Sequence, residues 1–462
     1  MQALPEKFVE RILLDLGDAD ARALCAALDA VPPVSVRLNR AKQTETMPTV
    51  LQSAVRQRVP WSAEGYYLPV RPQFTFDTDF HAGVYYVQEA ASQMVGHLLD
   101  GCDMQGRRVL DLCAAPGGKS TLYASLVGRD GLVVANEIDH RRAQVLSDNV
   151  RKWGTGNVIV TVCEPKQLAE FEGWFDVVAV DAPCSGEGMF RKDEGARVEW
   201  NENNVRMCAV RQRQILHEAW SALRAGGTLI YSTCTFNRAE DEELLAAFVE
   251  ERGEELTEAP RVEIDSIWGI VEGVVGPFQT FRFYPHRACG EGFFCAVARK
   301  AHDVGGRLRM PKGRRSVFTA ATRDEVRELS RWIEHPEMMR FLRVGDTFYG
   351  YPEVQVDAVR NLSEVLPVIC SGVEMGQLFK GVLKPAQALA FYVGLRRDAL
   401  SVTELDEAAA LCYLRRQEVP APLFAEGMNL VTARGRALGF AKRIGNRVNN
   451  LYPNSLRIIN QG

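Results

Sequence analysis

No CxxC pair occurs in this chain, and its eleven cysteines are scattered from Cys25 to Cys412. The nearest two, Cys289 and Cys295, are six positions apart, which is not a zinc-ligand spacing. An odd cysteine count in a long chain argues against a disulfide framework and for reduced thiols in a cytosol. There is no apolar run of 18 residues, and the N-terminal stretch carries Glu6, Lys7, Glu10, Arg11 and Asp15 where a signal peptide has an apolar core. The expectation is a cytoplasmic protein that binds neither membrane nor metal. A basic excess is missing too: 55 Lys and Arg stand against 59 Asp and Glu, a net charge of −4. Any nucleic-acid surface must therefore be local. Neither an internal repeat nor a low-complexity tract is found.

What is present is apolar material, 46 % of 462 residues, enough for several cores. At roughly 100–200 residues per domain, the length predicts two to four domains. Leu4, Phe8, Ile12 and Leu16 fall four apart on one helix face. A second helix is predicted over 18–29, stopped by Pro32-Pro33, and Val34 to Leu38 alternates like a strand. Residues 1–85 thus read as a small α+β unit. From 86 to 300, strands (108–113, 131–136, 158–163, 175–180, 228–232) alternate with helices (88–99, 119–127, 139–153, 205–223). Gly226-Gly227 is read as the stop of the last helix. Such alternation predicts a doubly wound, Rossmann-like parallel sheet. Residues 301–385 follow as a basic linker and a mixed region: Lys300, Arg307, Arg309, Lys312, Arg314 and Arg315 stand against Asp303. Residues 386–462 begin with helical patterns and end in short strands.

Leu110-Asp111-Leu112-Cys113-Ala114-Ala115-Pro116-Gly117-Gly118-Lys119-Ser120-Thr121 follows a strand and opens a helix. Small residues there let a ligand approach the backbone, with helix N–H groups facing it. A phosphate loop of the GxxxxGK[ST] kind is excluded, because Cys113 stands where its first glycine belongs. Glu137, 20 residues past Gly117, is placed to bind both ribose hydroxyls of a nucleotide-like cofactor, or else is an acid at a helix start. Glu164 sits in the loop after the third strand, as a further cofactor contact or a solvated acid.

Two further strands empty into Asp181-Ala182-Pro183-Cys184-Ser185-Gly186-Glu187-Gly188 and Thr233-Cys234-Thr235-Phe236-Asn237. Both loops belong at the carboxyl edge of the sheet, where α/β sites form. A free cysteine is often only a small buried hydrophobe. Two thiols and a carboxylate converging on a cofactor crevice suit a specific chemistry instead. C5 of cytosine is a poor nucleophile until a thiolate adds to C6 and makes C5 an enamine carbon able to attack a sulfonium methyl. A carboxylic acid near N3 stabilises the displaced charge. A second thiol can aid release once the C5 proton leaves.

Together, LDLCAAPGGKST (110–121), NEID (136–139), VDAPCSGEGMFRKD (180–193) and YSTCTFNRAEDE (231–242) resemble the Nop/Sun family of RNA cytosine-C5 methyltransferases. The resemblance implies S-adenosyl-L-methionine as cofactor and Cys234, in the Thr-Cys motif, as nucleophile. DNA cytosine methyltransferases use the Pro-Cys thiol; here Cys184 becomes the release aid and Asp181 the third catalytic residue. Cofactor contacts carried over are Cys113, Ala114, Ala115, Pro116, Gly117, Gly118, Lys119, Glu137, Arg142, Glu164 and Asp181. Glu164 departs from the family's usual aspartate.

Segments Leu4 to Phe8, Pro33 to Asn39 and Gly83 to Ser92 resemble the bacterial branch. Leu438 to Lys442 with Asn449 to Pro453 resembles the PUA-like RNA-binding domain of members that modify 16S rRNA. The implied partner is RNA, 16S rRNA or the small ribosomal subunit; a tRNA substrate and a non-catalytic rRNA assembly factor are the alternatives. The acid-free stretch after Met428 holds Arg434, Arg436, Lys442, Arg443, Arg447 and Arg457 with Phe440 and Tyr452, read as phosphate-neutralising cations and base-stacking rings. Arg191-Lys192 is read as meeting the substrate backbone.

Overall fold

In the computed structural model, which describes residues 2–44, 46–52, 57–302, 309, 311, 313 and 316–460, one large sheet organises the chain. Its strands run in the order Val271–Val275, Phe278–Phe283, Phe293–Lys300, Leu223–Thr233, Phe175–Asp181, Arg108–Asp111, Leu132–Asn136, Val158–Thr161 and Val368–Ser371. The five from Leu223–Thr233 to Val158–Thr161 are parallel, and the flanking strands are antiparallel. Val109, Val133, Val177 and Ile230 point to one face; Leu110, Val134, Val178 and Leu229 to the other. Both faces are covered, so the strands are apolar throughout, as buried parallel strands are. The doubly wound Rossmann-like class holds. The strand order puts Asp181 and Thr233 side by side, with Asp181 in register with Ser232.

Several local expectations fail for identifiable reasons. Residues 88–99 form only a short turn, Ala91–Gln93, and one helical turn, Met94–His97. The Glu89 carboxylate accepts from both Ser92 N–H and Glu291 N–H at 2.9 Å, which fixes a turn where the helix was expected. Helix Glu202–Ala222 ends because Leu223 turns extended (φ −76°, ψ 129°), not at the glycine pair. Gly226 (φ +70°) and Gly227 lie inside the next strand, where a Cβ on Gly227 would sit 3.0 Å from the Asp176 carbonyl. Of the basic stretch, Asp303, Arg307, Lys312, Arg314 and Arg315 lie outside the described residues. Lys300 is buried in a strand and donates to the Trp220 and Leu223 carbonyls, both at 3.0 Å.

Residues 317–385 resolve into two parts. A five-stranded antiparallel sheet runs from Thr319–Ala320 to Val382–Pro385. Helix Val356–Val365 and strand Val368–Ser371 leave it to complete the large sheet's core and edge.

The N-terminal helices Glu6–Leu16 and Asp18–Leu28 bury Phe8, Ile12, Leu24 and Leu28 against Phe190, Trp200 and Phe236. Phe190 and Phe236 follow the two cysteine loops, so this unit forms part of the wall behind the thiols. Its sheet (strands Val34–Leu38, Gln57–Arg58, Gly65–Leu68 and Tyr85–Val87) shares one core with the C-terminal strands Gly427–Ala433 and Arg436–Ile444. A buried ion pair pins them together: Arg436 Nη1 on Asp79 Oδ1, while Asp79 Oδ2 accepts from Thr49 N–H at 2.8 Å. Losing one member of such a pair costs roughly 3–5 kcal/mol, because the other stays buried and uncompensated. Asp79→Ala is therefore expected to lower the urea unfolding free energy by about that much. A change under about 1 kcal/mol, the range of exposed pairs, would refute the buried lock.

Candidate active site

Both cysteine loops end their strands at the same sheet edge, over a cleft of about 710 Å³ lined by Cys113, Glu137, Asp181, Cys184 and Cys234 among others. The two sulfurs lie 3.1 Å apart, and Cys234 N–H points at Cys184 Sγ at 3.3 Å. The loops are stitched together: Ala182 N–H donates to Ser232 O at 2.8 Å, Gly188 N–H to Cys234 O at 2.8 Å, and the Ser185 and Thr235 hydroxyls meet at 2.9 Å. Behind them Glu187, fully buried, accepts from Arg11 Nη2 at 2.7 Å, Trp200 Nε1 at 3.0 Å and Phe236 N–H at 3.1 Å. The hydrogen bond with Cys234, reinforced by burial, holds the Cys184 pKa well above the ordinary thiol value. Both effects favour the protonated form of Cys184.

Asp181 accepts from Ser232 Oγ at 2.8 Å, and Lys119 Nζ lies 2.8 Å from its other oxygen. Burial opposes the Lys119 charge, but Asp181, Asp111 and Cys234 outweigh it and raise its pKa. A fixed ammonium therefore stands beside the thiols. The sequence reading placed Lys119 on the cofactor loop; the fold turns its side chain onto Asp181.

The glycine loop closes the other end of the cleft. Its Ala115–Pro116 peptide is cis, and Gly117 (φ +110°) adopts a backbone that L side chains rarely reach, just before helix Gly118–Leu126. A Cβ there would also stand 3.0 Å from Leu146 Cδ1. Arg142 bridges this loop to the acid of the next strand, donating to Ala115 O at 3.0 Å and lying 3.2 Å from Glu137 Oε2. Glu137 is buried, its Oε1 accepts Asp139 N–H at 3.0 Å, and its Oε2 is held only by the Arg142 ion pair. A buried carboxylate on the cleft wall, with lone pairs left beyond the Arg142 contact, fits a ribose diol. Helix capping falls to Asp139, whose Oδ1 accepts from Arg141 and Arg142 N–H. Glu164 lines the cleft too, but its side chain is half exposed and paired with Lys166 at 2.8 Å. The residues present fit an adenosyl cofactor.

Four polar residues around this site escaped the sequence reading as site residues. Burial pushes the Asp111 carboxyl up to about 7, and it accepts from Ser120 Oγ at 2.7 Å under the glycine loop. Glu187, Gln212 and Glu240 hold the thiol loops from behind. Asp111, Glu187 and Glu240 lie within the motifs given above, which hinted at them; Gln212, on helix Glu202–Ala222, carried no such sign.

Three RNA-binding expectations need correction. Phe440 and Tyr452 are 1 % and 2 % exposed, packed in the cores between units, and cannot stack on a base. Arg436 is spent on Asp79, and Arg434 donates to the Met47 carbonyl at 2.8 Å. Arg191 is buried, bonding Glu291 Oε2 at 2.9 Å and Gly290 O at 2.6 Å, so it braces the protein instead of meeting a strand of RNA. Lys442, Arg447 and Arg457 remain exposed.

Residues 102–299 match the family model of the 16S rRNA methyltransferase RsmB/F. Residues 4–90 match the N-terminal domain of 16S rRNA methyltransferase RsmF, and 400–458 the methyltransferase RsmF PUA domain. The chain is 31 % identical over 416 residues to ribosomal RNA small subunit methyltransferase F of Aeromonas salmonicida, covering 86 % of this chain and 84 % of that one. The protein of the same name from Erwinia tasmaniensis is 30 % identical, over 98 % of this chain and 96 % of its own. A solved methyltransferase homolog from Pyrococcus horikoshii, 26 % identical, superposes with a TM-score of 0.53 over 64 % of this chain and 95 % of that one. By these matches, which span both flanking units and the unit that carries the thiol pair, the chain belongs to the RsmB/F family of S-adenosylmethionine-dependent 16S rRNA methyltransferases.

Proposed function

We propose that this chain methylates C5 of a cytosine in 16S rRNA, with Cys234 as the nucleophile and Cys184 aiding release. The observation that carries it is the pair of sulfurs 3.1 Å apart beside the Lys119–Asp181 ion pair, in one cleft with Glu137. The Cys234 thiolate adds to C6, and the displaced electron pair moves toward N3, where Asp181 with Lys119 supplies a proton and positive charge. When bound, S-adenosylmethionine supplies an electrophilic methyl group to C5 and departs as a neutral thioether. Loss of the C5 proton to water in the cleft then returns its electron pair to the C5–C6 bond and expels Cys234 as a thiolate, and the proton lent to N3 goes back to the Lys119–Asp181 pair. Cys184, the protonated partner, donates its hydrogen bond to that leaving sulfur.

We read residues 1–85 and 386–462 as units that hold RNA around the methyltransferase unit at 86–300, with 301–385 between. The exposed Lys442, Arg447 and Arg457 are the cations left for phosphate. The target base must leave its stack to reach the cleft. The test is transfer of labelled methyl from S-adenosylmethionine to purified 16S rRNA, small subunits and tRNA, with bisulfite sequencing of the product. A converted 16S cytosine supports the reading. Label confined to tRNA, or carried by an atom other than cytosine C5, sinks it.

Glu137 offers an independent check on the cofactor half. A ribose hydrogen bond to a charged group is worth about 1.5–3 kcal/mol. Glu137→Ala is expected to weaken S-adenosylhomocysteine binding by about 10- to 100-fold in calorimetry. Unchanged affinity would remove Glu137 from the site.

A further inference from the structure

Cys184 sits in a loop held at both of its neighbouring peptide groups by the same two side chains. Before it, the Pro183 carbonyl accepts from Gln212 Nε2 at 3.0 Å. After it, Ser185 N–H donates to Glu240 Oε2 at 2.9 Å. The two holders bond each other, Gln212 Nε2 to Glu240 Oε2 at 2.9 Å. Both are fully buried. Gln212 comes from the long helix Glu202–Ala222, and Glu240 from the turn that follows the Thr-Cys loop. The Glu240 carbonyl is itself fixed by Tyr231 Oη at 2.7 Å, on the strand that leads into Cys234. So the position of Cys184 is referred, through Glu240, to the strand and turn on either side of Cys234. A general role in folding does not explain why a buried carboxylate stands there. Burial pushes the Glu240 carboxyl pKa up, a cost that a leucine of similar size would not carry.

We infer that Glu240 and Gln212 are positioning residues for the release step: they set the distance from Cys184 to the sulfur of Cys234. This rests on the reading of Cys184 as the release aid. A hydrogen bond between two sulfurs weakens steeply as they separate, whereas attack of Cys234 on C6 needs no Cys184. Loosening the brace should therefore slow release while leaving adduct formation in place, and the covalent enzyme–RNA species should accumulate. Glu240→Gln should behave almost as wild type. One Glu240 oxygen now accepts both bonds, and the amide oxygen of glutamine can take the same two.

The experiment mixes full-length enzyme, 16S rRNA and S-adenosylmethionine, and quantifies adduct on denaturing gels against product formed in single-turnover mixtures. Glu240→Ala and Gln212→Ala are expected to raise the adduct fraction at least fivefold, with S-adenosylhomocysteine affinity within twofold of wild type. Glu240→Gln is expected to restore the wild-type fraction. Cys184→Ala, run alongside, separates the two ways to fail. If it accumulates adduct and neither brace variant does, the positioning role is wrong while the release assignment stands. If Cys184→Ala gives no adduct, the release assignment fails and takes the brace with it. Equal loss of adduct and product in all brace variants, Glu240→Gln included, would make the brace structural only and overturn the inference.

Discussion

Alanine at Cys234 is expected to abolish methyl transfer and to leave no covalent enzyme–RNA species: a loss of at least about 10⁴-fold, or roughly 5.4 kcal/mol of barrier lowering. Without the S–C6 bond, C5 of cytosine never becomes an enamine carbon, and no positioning of the methyl donor compensates. The neighbouring sulfur does not substitute, although it lies 3.1 Å away. Its hydrogen bond and burial keep the Cys184 pKa well above the ordinary value, so at neutral pH it is a thiol, and the thiolate is the nucleophile. The variant should fold normally. Backbone groups hold the Cys234 loop, through Gly188 N–H on its carbonyl and its own N–H on Cys184. Incorporation of labelled methyl, denaturing gels and S-adenosylhomocysteine calorimetry report the three quantities. Normal cofactor binding with no methyl transfer is the expected pattern. Retained transfer, or adduct formed without this sulfur, would move the nucleophile elsewhere.

What could be read from the residues follows from how local each signal is. Strands Arg108–Asp111 and Phe175–Asp181 are apolar because helices cover both faces, and that pattern needs no partner to be recognised. Asp181, Cys184 and Cys234 stand out because polar, small residues follow such strands directly. The brace residues do not. Glu240 and Gln212 are ordinary polar residues on a turn and a helix until the fold brings them to either side of one loop. The Arg436–Asp79 pair joins residues 357 positions apart, so an acid-free stretch read as a phosphate face turns out partly to be a buried lock. Phe440 shows the same limit. On a strand whose two faces both meet protein, an aromatic among cations carries no mark of which side it faces. Strand Val368–Ser371 has four residues, too few for alternation to register, and joins the large sheet only through pairing with Val158–Thr161.

Cys184→Ala is expected to do the reverse of Cys234→Ala: adduct accumulates and turnover falls by about 10²–10⁴-fold, the usual range for losing a proton-transfer group. Attack on C6 survives, because Cys234 keeps its backbone bond from Gly188 and its place near the Lys119 charge. Methyl transfer to C5 survives too, since Glu137, Arg142 and the glycine loop are untouched. What is lost is the donor facing the leaving sulfur. With nothing to stabilise the departing thiolate, the methylated adduct decays slowly and should be visible as enzyme crosslinked to RNA that already carries labelled methyl. The label matters. An adduct without methyl would mean that Cys184 is needed after attack but before release, at the methyl transfer, and the release role would have to be given up. Serine at the same position is informative. Its hydroxyl can donate a hydrogen bond but is shorter and much less acidic than a thiol, so partial recovery of turnover is expected, with an adduct fraction between wild type and alanine. Hydrogen-bond donation then explains the role of this residue. If serine were no better than alanine, the size and acidity of the sulfur, and not the hydrogen bond alone, would govern release.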